Sequence, residues 1–140
     1  MKPISLYNGS GYPDPTAYEA LNHVEQELRE ARVRPIVFIC CPISGHMERN
    51  LQNARKYSRF AADRGYLPLT PHLLFPQFMN SALESERWLF VQMSMILLTK
   101  CAELWAFGEC VSKGMSLAIA RARSKGQPIR FFSDDCKEIQ

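Results

Sequence analysis

The sequence predicts an α/β fold, a three-layer α/β/α sandwich around a parallel sheet. Three observations carry this. Short apolar runs alternate with amphipathic stretches, giving a helix–strand pair four times over. The strongest run, PIVFICC at residues 35–41, is continuously apolar and rich in β-branched residues, as a strand covered on both faces must be. The connecting stretches are long enough for helical crossovers, which bring successive strands together in parallel with right-handed connections. The expected sheet is Rossmann-like, with four to five strands.

Taken in order, residues 1–13 carry Gly9, Gly11 and Pro13 and read as an irregular arm. Asp14 followed by Pro15 is a helix start, a capping carboxylate before a proline whose missing N–H costs nothing there. Ala17, Leu21, Val24 and Leu28 then recur at helical spacing within residues 16–32. The strand at 35–41 is broken by Pro42, Ser44 and Gly45. A helix follows from about Glu48 to Arg64, with Leu51, Ala54, Tyr57, Phe60 and Ala61 on one face and Gly65 as its stop. Residues 66–71 form a short second strand, and 72–80 a proline-interrupted apolar loop. Residues 81–100 form a helix that is apolar nearly all round between Trp88 and Leu98, and so is either deeply packed or at an interface. CAELWAF at 101–107 is a third strand, 108–113 a turn, 112–125 a helix ended by Gly126, and PIRFF at 128–132 a fourth strand. The tail at 133–140 is polar, and residues 1–140 read as one domain.

Composition narrows the function classes. Seventeen Lys+Arg against 14 Asp+Glu leave a net charge of +3, too little to mark a binder of polymeric nucleic acid or of a membrane surface. With 46% hydrophobic and 22% charged residues the chain is neither disordered nor fibrous. The apolar run from Trp88 to Leu98 is too short to span a bilayer and is interrupted by Gln92 and Ser94. MKPISLYNGSGYPDP lacks the apolar core of a secretory signal, and the five cysteines are odd in number with no CxxC pair. A cytoplasmic protein with reduced thiols is expected.

Ligands of an open parallel sheet bind beyond the C-terminal ends of its strands. Four segments gather there: Cys41, Pro42, Ile43, Ser44 and Gly45 after the first strand, Pro71 and His72 after the second, Phe107 and Gly108 after the third, and Ser112, Lys113, Gly114 and Met115 opening the last helix. The last segment offers free backbone N–H groups, a hydroxyl, a lysine and the positive end of a helix dipole, which suit either an anion or a plain helix cap. CPISGHMERN contains neither a P-loop nor a dinucleotide fingerprint; its small residues suit a flat ligand against the backbone, or simply a tight turn. Cys41 and His72 could meet as a thiol–imidazole dyad, the alternative being a hydrogen-bonded structural histidine. Cys41, His46 and His72 have poor zinc spacing, so no metal is expected. Trp88, Met93, Met95 and Leu97 read as core or subunit interface.

The strings FICCPISG, ERNLQNARKYSRFAADRGYLPLTPHLLFPQF, KCAELWAFG and SKGM followed by AIARARSKGQPIRFF together resemble a bacterial and phage family of uncharacterised domains. That family is related to nucleoside 2-deoxyribosyltransferases and 2′-deoxynucleoside 5′-monophosphate N-hydrolases. The resemblance runs from about Pro3 to Glu138 and implies a parallel sheet with the site at its C-terminal edge. In the related enzymes a helix glutamate, in a pattern like S-x-G-x-x-x-E, attacks the anomeric carbon to give a glycosyl-enzyme intermediate. Ser112 and Gly114 match that pattern, but the glutamate position is Ala118. An acidic residue is also expected in a string like C-D-E-L-W, where this chain has Ala102. A methyl group can neither attack carbon nor accept a proton, so the resemblance implies that covalent turnover is absent or severely reduced. Two origins fit the alanines: a natural protein that binds without turnover, or residues introduced to trap a complex. Glu103, beside Ala102, is a poor substitute because strand alternation turns neighbours to opposite faces.

The expected function is therefore nucleoside or nucleotide binding with impaired N-glycosidic cleavage or deoxyribosyl transfer. Ser112, Lys113 and Gly114 would hold the phosphate or the 5′ end, residues 41–45 the base or sugar, and His72 with Phe107 and Gly108 would close the pocket. No metal or organic cofactor is required by that chemistry. The alternatives are a non-enzymatic nucleotide binder or sequestering protein and a cysteine hydrolase built on Cys41 and His72. The resemblance also implies a homo-oligomer, dimer or larger.

Overall fold

A computed structural model describes residues 15–31, 34–42 and 47–139. The chain divides into two compact units at the Arg34–Pro35 boundary. The described part of the first is helix α1 (Pro15–Ala31) and Arg34. Its surface carries i,i+4 pairs, His23 with Glu27 at 3.1 Å and Arg29 with Glu25 at 3.5 Å, each a small local support. Leu21, Val24 and Leu28 on this helix are about half exposed. Asp14 and Arg32 lie outside the described residues.

The second unit runs β1 (Ile36–Cys40), α2 (Met47–Asp63), β2 (Leu67–Leu69), α3 (Pro71–Leu74), a 3₁₀ turn at Phe75–Gln77, α4 (Glu84–Leu98), β3 (Glu103–Phe107), α5 (Lys113–Ser124), β4 (Ile129–Phe132) and β5 (Glu138–Ile139). The five strands lie in the order β2-β1-β3-β4-β5. The first four are parallel, with Ile36 opposite Leu67, Val37 opposite Glu103 and Leu104 opposite Ile129. The α/β architecture is thus as the alternation implies, and the strand order reverses between β1 and β3.

Side chains alternate across the central strands, which is why their sequences are continuously apolar. Val37, Ile39, Cys41, Trp105, Phe107 and Phe132 meet Ala54, Tyr57 and Ala61 of α2 on one face. Phe38, Cys40, Leu104 and Ala106 meet Leu98 of α4 and Met115, Ala118, Ile119 and Ala122 of α5 on the other. These are the two helical layers.

Two expectations are corrected and a third is narrowed. The sheet is mixed: β5 pairs antiparallel with β4, inside the stretch expected to be only a polar tail. A charged fork explains how a polar segment is held there. Arg130 donates from Nε and Nη2 to the two Glu138 oxygens at 2.7 and 2.9 Å, while its guanidinium lies 4.9 Å from the Trp105 ring centre. Second, residues 72–80 are not all loop. Pro71 opens the one-turn α3, where it needs no N–H donor, with extended Thr70 as its N-cap. Third, of the two readings of α4, deeply packed or at an interface, the first does not hold among the described residues: Ser94 and Leu98 are its buried residues, while Trp88 and Ile96 are about 60% exposed. No helix among the described residues is long and apolar enough to cross a membrane.

Candidate functional site at the C-terminal edge of the sheet

The parallel strands deliver their C-terminal ends to one edge. From β1 come Cys41 and Pro42, from β2 Thr70 to His72, from β3 Phe107 and Gly108, and from β4 the turn that begins at Ser133. Each is fixed locally. Ser58 on α2 donates its hydroxyl to Ala54 O at 2.7 Å and so accepts from Thr70 at 2.6 Å, which ties the end of β2 to α2. His72 then falls beside Cys41, with Sγ 3.7 Å from Nδ1, and its ring lies against Phe90 at 5.5 Å.

Burial decides what this pair can do. It pushes the Cys41 thiol up to about 12 and the His72 imidazole down to about 4. Near pH 7 both are neutral, so the thiol donates to Nδ1 and no thiolate–imidazolium pair forms. The pair is a packed hydrogen-bonding unit rather than an activated nucleophile.

Gly108 ends β3 with φ +101°, a left-handed conformation that favours glycine, while its N–H donates to Phe132 O at 3.0 Å. A Cβ at this position would sit 3.3 Å from Asp134 Oδ1 and 3.7 Å from the Pro42 ring, so three strand ends converge here. The buried Tyr57 ring stacks on Phe107 at 4.2 Å and 12°, and its hydroxyl reaches Asp134 Oδ1 at 3.3 Å, a long contact. Burial, helped by the Asp134 charge, holds this phenol above its ordinary range, which keeps it a neutral donor.

Helix α5 starts at the same edge, directly after the loop that follows β3. Extended Ser112 is its N-cap and accepts from Met115 N–H at 3.3 Å, so the capping reading of this serine holds. Lys113 and Gly114 are exposed, and helix geometry leaves their amides without intrahelical acceptors, open to an anion. Met115 and Ala118 are instead buried in the aliphatic layer. Ala118 lies about 9 Å along the helix axis from Ser112. Helical Cα–Cβ bonds tilt toward the N-terminus, so a longer side chain at 118 would rise toward the Ser112 end.

The structure therefore brings Cys41, Pro42, His72, Phe107 and Gly108 together and places Ser112, Lys113 and Gly114 at the helix end above them. Ile43, Ser44 and Gly45 lie outside the described residues. Ala102 does not join the group. It precedes β3 on the opposite edge, where its N–H donates to Ile36 O at 2.7 Å, and it sits about 16 Å from Phe107 along the strand. Glu103 also stays at that end, accepting from Trp105 Nε1 at 3.2 Å, and cannot replace a carboxylate at the site.

Sequence reading passed over Tyr57 and Asp134. Tyr57 shares the apolar stripe of its helix, yet a buried phenol needs a polar partner and so points to one. Asp134 follows an apolar strand directly, the place where a parallel sheet presents ligand groups. A depression of about 770 Å³ lined by Met47, Glu48, Arg49 and Gln52 opens at the start of α2. Among the described residues no three His, Cys, Asp or Glu side chains cluster as a metal site.

Residues 35–132 match the family described as domain of unknown function DUF7768. A comparison with curated proteins yields no match. Among solved structures, the chain is similar to a 2-deoxyribosyltransferase from the psychrotolerant bacterium Bacillus psychrosaccharolyticus. That likeness has 13% identity and a TM-score of 0.58, over 70% of this chain and 72% of that one. At such identity it establishes a shared fold.

Proposed function

The chain belongs to the DUF7768 family, and we propose that it binds a nucleoside or nucleotide at the C-terminal edge of its sheet, with N-glycosidic cleavage or deoxyribosyl transfer as an ancestral reaction now lost or weak. One observation carries the reading: four strand ends and the free amides of the α5 N-terminus share a single edge, and the helix rising from it has Ala118 where the attacking glutamate is expected. The first half supports binding and the second supports loss of turnover.

In the two-step chemistry a carboxylate bonds to the anomeric carbon as the base departs, and water or a second base then displaces the carboxylate. The methyl of Ala118 has no lone pair to offer. What remains suits holding a ligand. The Lys113 and Gly114 amides and the Lys113 ammonium favour a phosphate or 5′ oxygen. Gly108 and Pro42 offer a small floor for a ring, with the neutral Cys41–His72 pair at its side, while the Phe107 ring expected to close the pocket is fully buried between Tyr57 and Phe132. No metal or organic cofactor enters this chemistry. A second reading, a binder that sequesters a nucleotide without any catalytic past, is supported by the same buried Ala118.

The exposed Trp88, Leu89 and Ile96 on α4, beside a groove of about 540 Å³, favour a homodimer or larger assembly, which sedimentation of the chain would register.

Chromatography of 2′-deoxynucleosides and their 5′-monophosphates, incubated with the chain and with its Ala118→Glu variant, tests the proposal. The expected result is intact substrate with the chain and slow base release with the variant. Rapid release by the unaltered chain would contradict the loss of turnover. Release by neither, with ligand still bound, would favour the sequestering reading.

A further inference from the structure

The C-terminal edge carries Ala118 on its α5 side and a carboxylate, that of Asp134, on its α2 side. Asp134 occupies the second position of a tight turn joining β4 to β5. The turn is closed by Cys136 N–H donating to Ser133 O at 3.0 Å and by Ser133 N–H donating to Lys137 O at 2.8 Å. Cys136 takes φ +61°, the left-handed residue that follows a type I turn in a three-residue hairpin loop. Ser133 Oγ also accepts from Lys137 N–H at 3.2 Å. The backbone under Asp134 is thus defined by three hydrogen bonds, although the side chain is exposed to solvent.

Its carboxylate is aimed rather than left to wave. Oδ1 meets the Tyr57 hydroxyl and lies over Gly108, where a Cβ would crowd it at 3.3 Å. Tyr57 is itself immobilised by stacking on Phe107. Among the described residues Oδ2 has no hydrogen-bond partner. A charged acceptor, positioned by a buried phenol and standing at the strand end next to the switch in strand order, is built to take a donor from something that sits on that edge.

We propose that Asp134 is a specificity-determining residue: held by Tyr57 over Gly108, it accepts a hydrogen bond from a ligand donor, either a sugar hydroxyl or an amino group of the base. The inference rests on the nucleotide-binding reading above and adds which group of the ligand is read. The left-handed backbone at Gly108 calls for glycine, and the absence of a side chain there leaves the Asp134 carboxylate its room.

Calorimetric titration of the full chain, its Asp134→Asn variant and its Tyr57→Phe variant tests this. The ligands are the four 2′-deoxynucleoside 5′-monophosphates, their 2′,3′-dideoxy counterparts and the inosine counterpart of the adenine nucleotide. For the preferred nucleotide, Asp134→Asn should weaken binding about ten-fold and Tyr57→Phe about three-fold, each with an unchanged melting temperature. The analogue lacking the donor that is read should bind the unaltered chain about ten-fold more weakly and lose no more with Asp134→Asn. A dideoxy analogue behaving in this way identifies the sugar hydroxyl, and the inosine analogue the base amino group. Binding by the unaltered chain that Asp134→Asn retains within two-fold, or an equal loss for every analogue, overturns the inference and leaves nucleotide binding standing. Binding of none of these ligands by the unaltered chain overturns the nucleotide reading and this inference together.

Discussion

The two faces of the sheet are packed by different chemistry. On the α5 face the core is aliphatic and sulfur-bearing, with Phe38 the one aromatic among its fully packed described residues, and it includes Ala118. On the α2 face Tyr57, Trp105, Phe107 and Phe132 stack with Phe60 and Tyr66 at centroid distances of 4.2 to 6.1 Å. The buried cluster on the α5 face is apolar throughout, whereas the aromatic face ends in polar tips, the Tyr57 hydroxyl and Asp134 beside it. Ala118 packs into one face as ordinary core, and the polar groups that reach the edge from Tyr57 and Asp134 belong to the other.

The comparison can be broken most forcefully at adjacent residues of β3 that point to opposite faces. Trp105→Ala should cost about 3–5 kcal/mol, because it empties a large site and also frees Arg130 and Glu103 from their contacts. Leu104→Ala should cost about 2–5 kcal/mol but leave Tyr57 and Asp134 in place. Urea unfolding measures both, and nucleotide binding should fall with the first far more than with the second. Equal losses of binding would mean that the faces do not differ in function.

The junction between the faces is titratable. His72 ionises at about 4 when folded against 6.5 when free, because burial disfavours its charge. The unfolded chain therefore takes up the proton first. Stability is full above pH 6.5 and declines as the pH falls from 6.5 toward 4, by about 3 kcal/mol in all. Unfolding midpoints across this window should show the decline, and His72→Gln should flatten it. An unchanged slope in that variant would place the titrating group elsewhere.

Gly108→Ala should cost about 1–3 kcal/mol, since alanine resists φ +101° and its Cβ would press on Asp134. A thermal melt gives the cost, and the same variant should weaken nucleotide binding more than Leu104→Ala does. The smallest of these effects is expected at the helix cap: Ser112→Ala removes the acceptor for Met115 N–H and should cost about 1 kcal/mol, read by urea unfolding. A phosphate-bearing ligand should then also lose affinity relative to the matching nucleoside if the α5 N-terminus holds the phosphate.

Much of this was legible in the residues. PIVFICC and CAELWAF announce central strands because burial on both faces leaves no polar alternation, and the gaps between strands leave room only for helices. The edge that gathers Cys41, His72 and Gly108 follows from parallel topology alone. Three features were harder to read. The β5 pairing depends on Arg130 reaching Glu138 across the turn, a contact that no local pattern encodes. Ala102 is expected at the site from its motif string alone, whereas β3 begins one residue later and leaves it at the opposite edge of the sheet. Asp134 was hidden in a polar tail, where acidic residues are usually just solvated, and only the fold brings it over Gly108 and against Tyr57.

The most direct test of the central claim is a two-dimensional amide NMR titration of the labelled chain with 2′-deoxynucleoside 5′-monophosphates. Shifts are expected only at the C-terminal edge, at Cys41, His72, Gly108, Lys113, Gly114 and Asp134, with the nucleotide intact at the end. Shifts along α4, no shifts at all, or free base accumulating in the tube would contradict it.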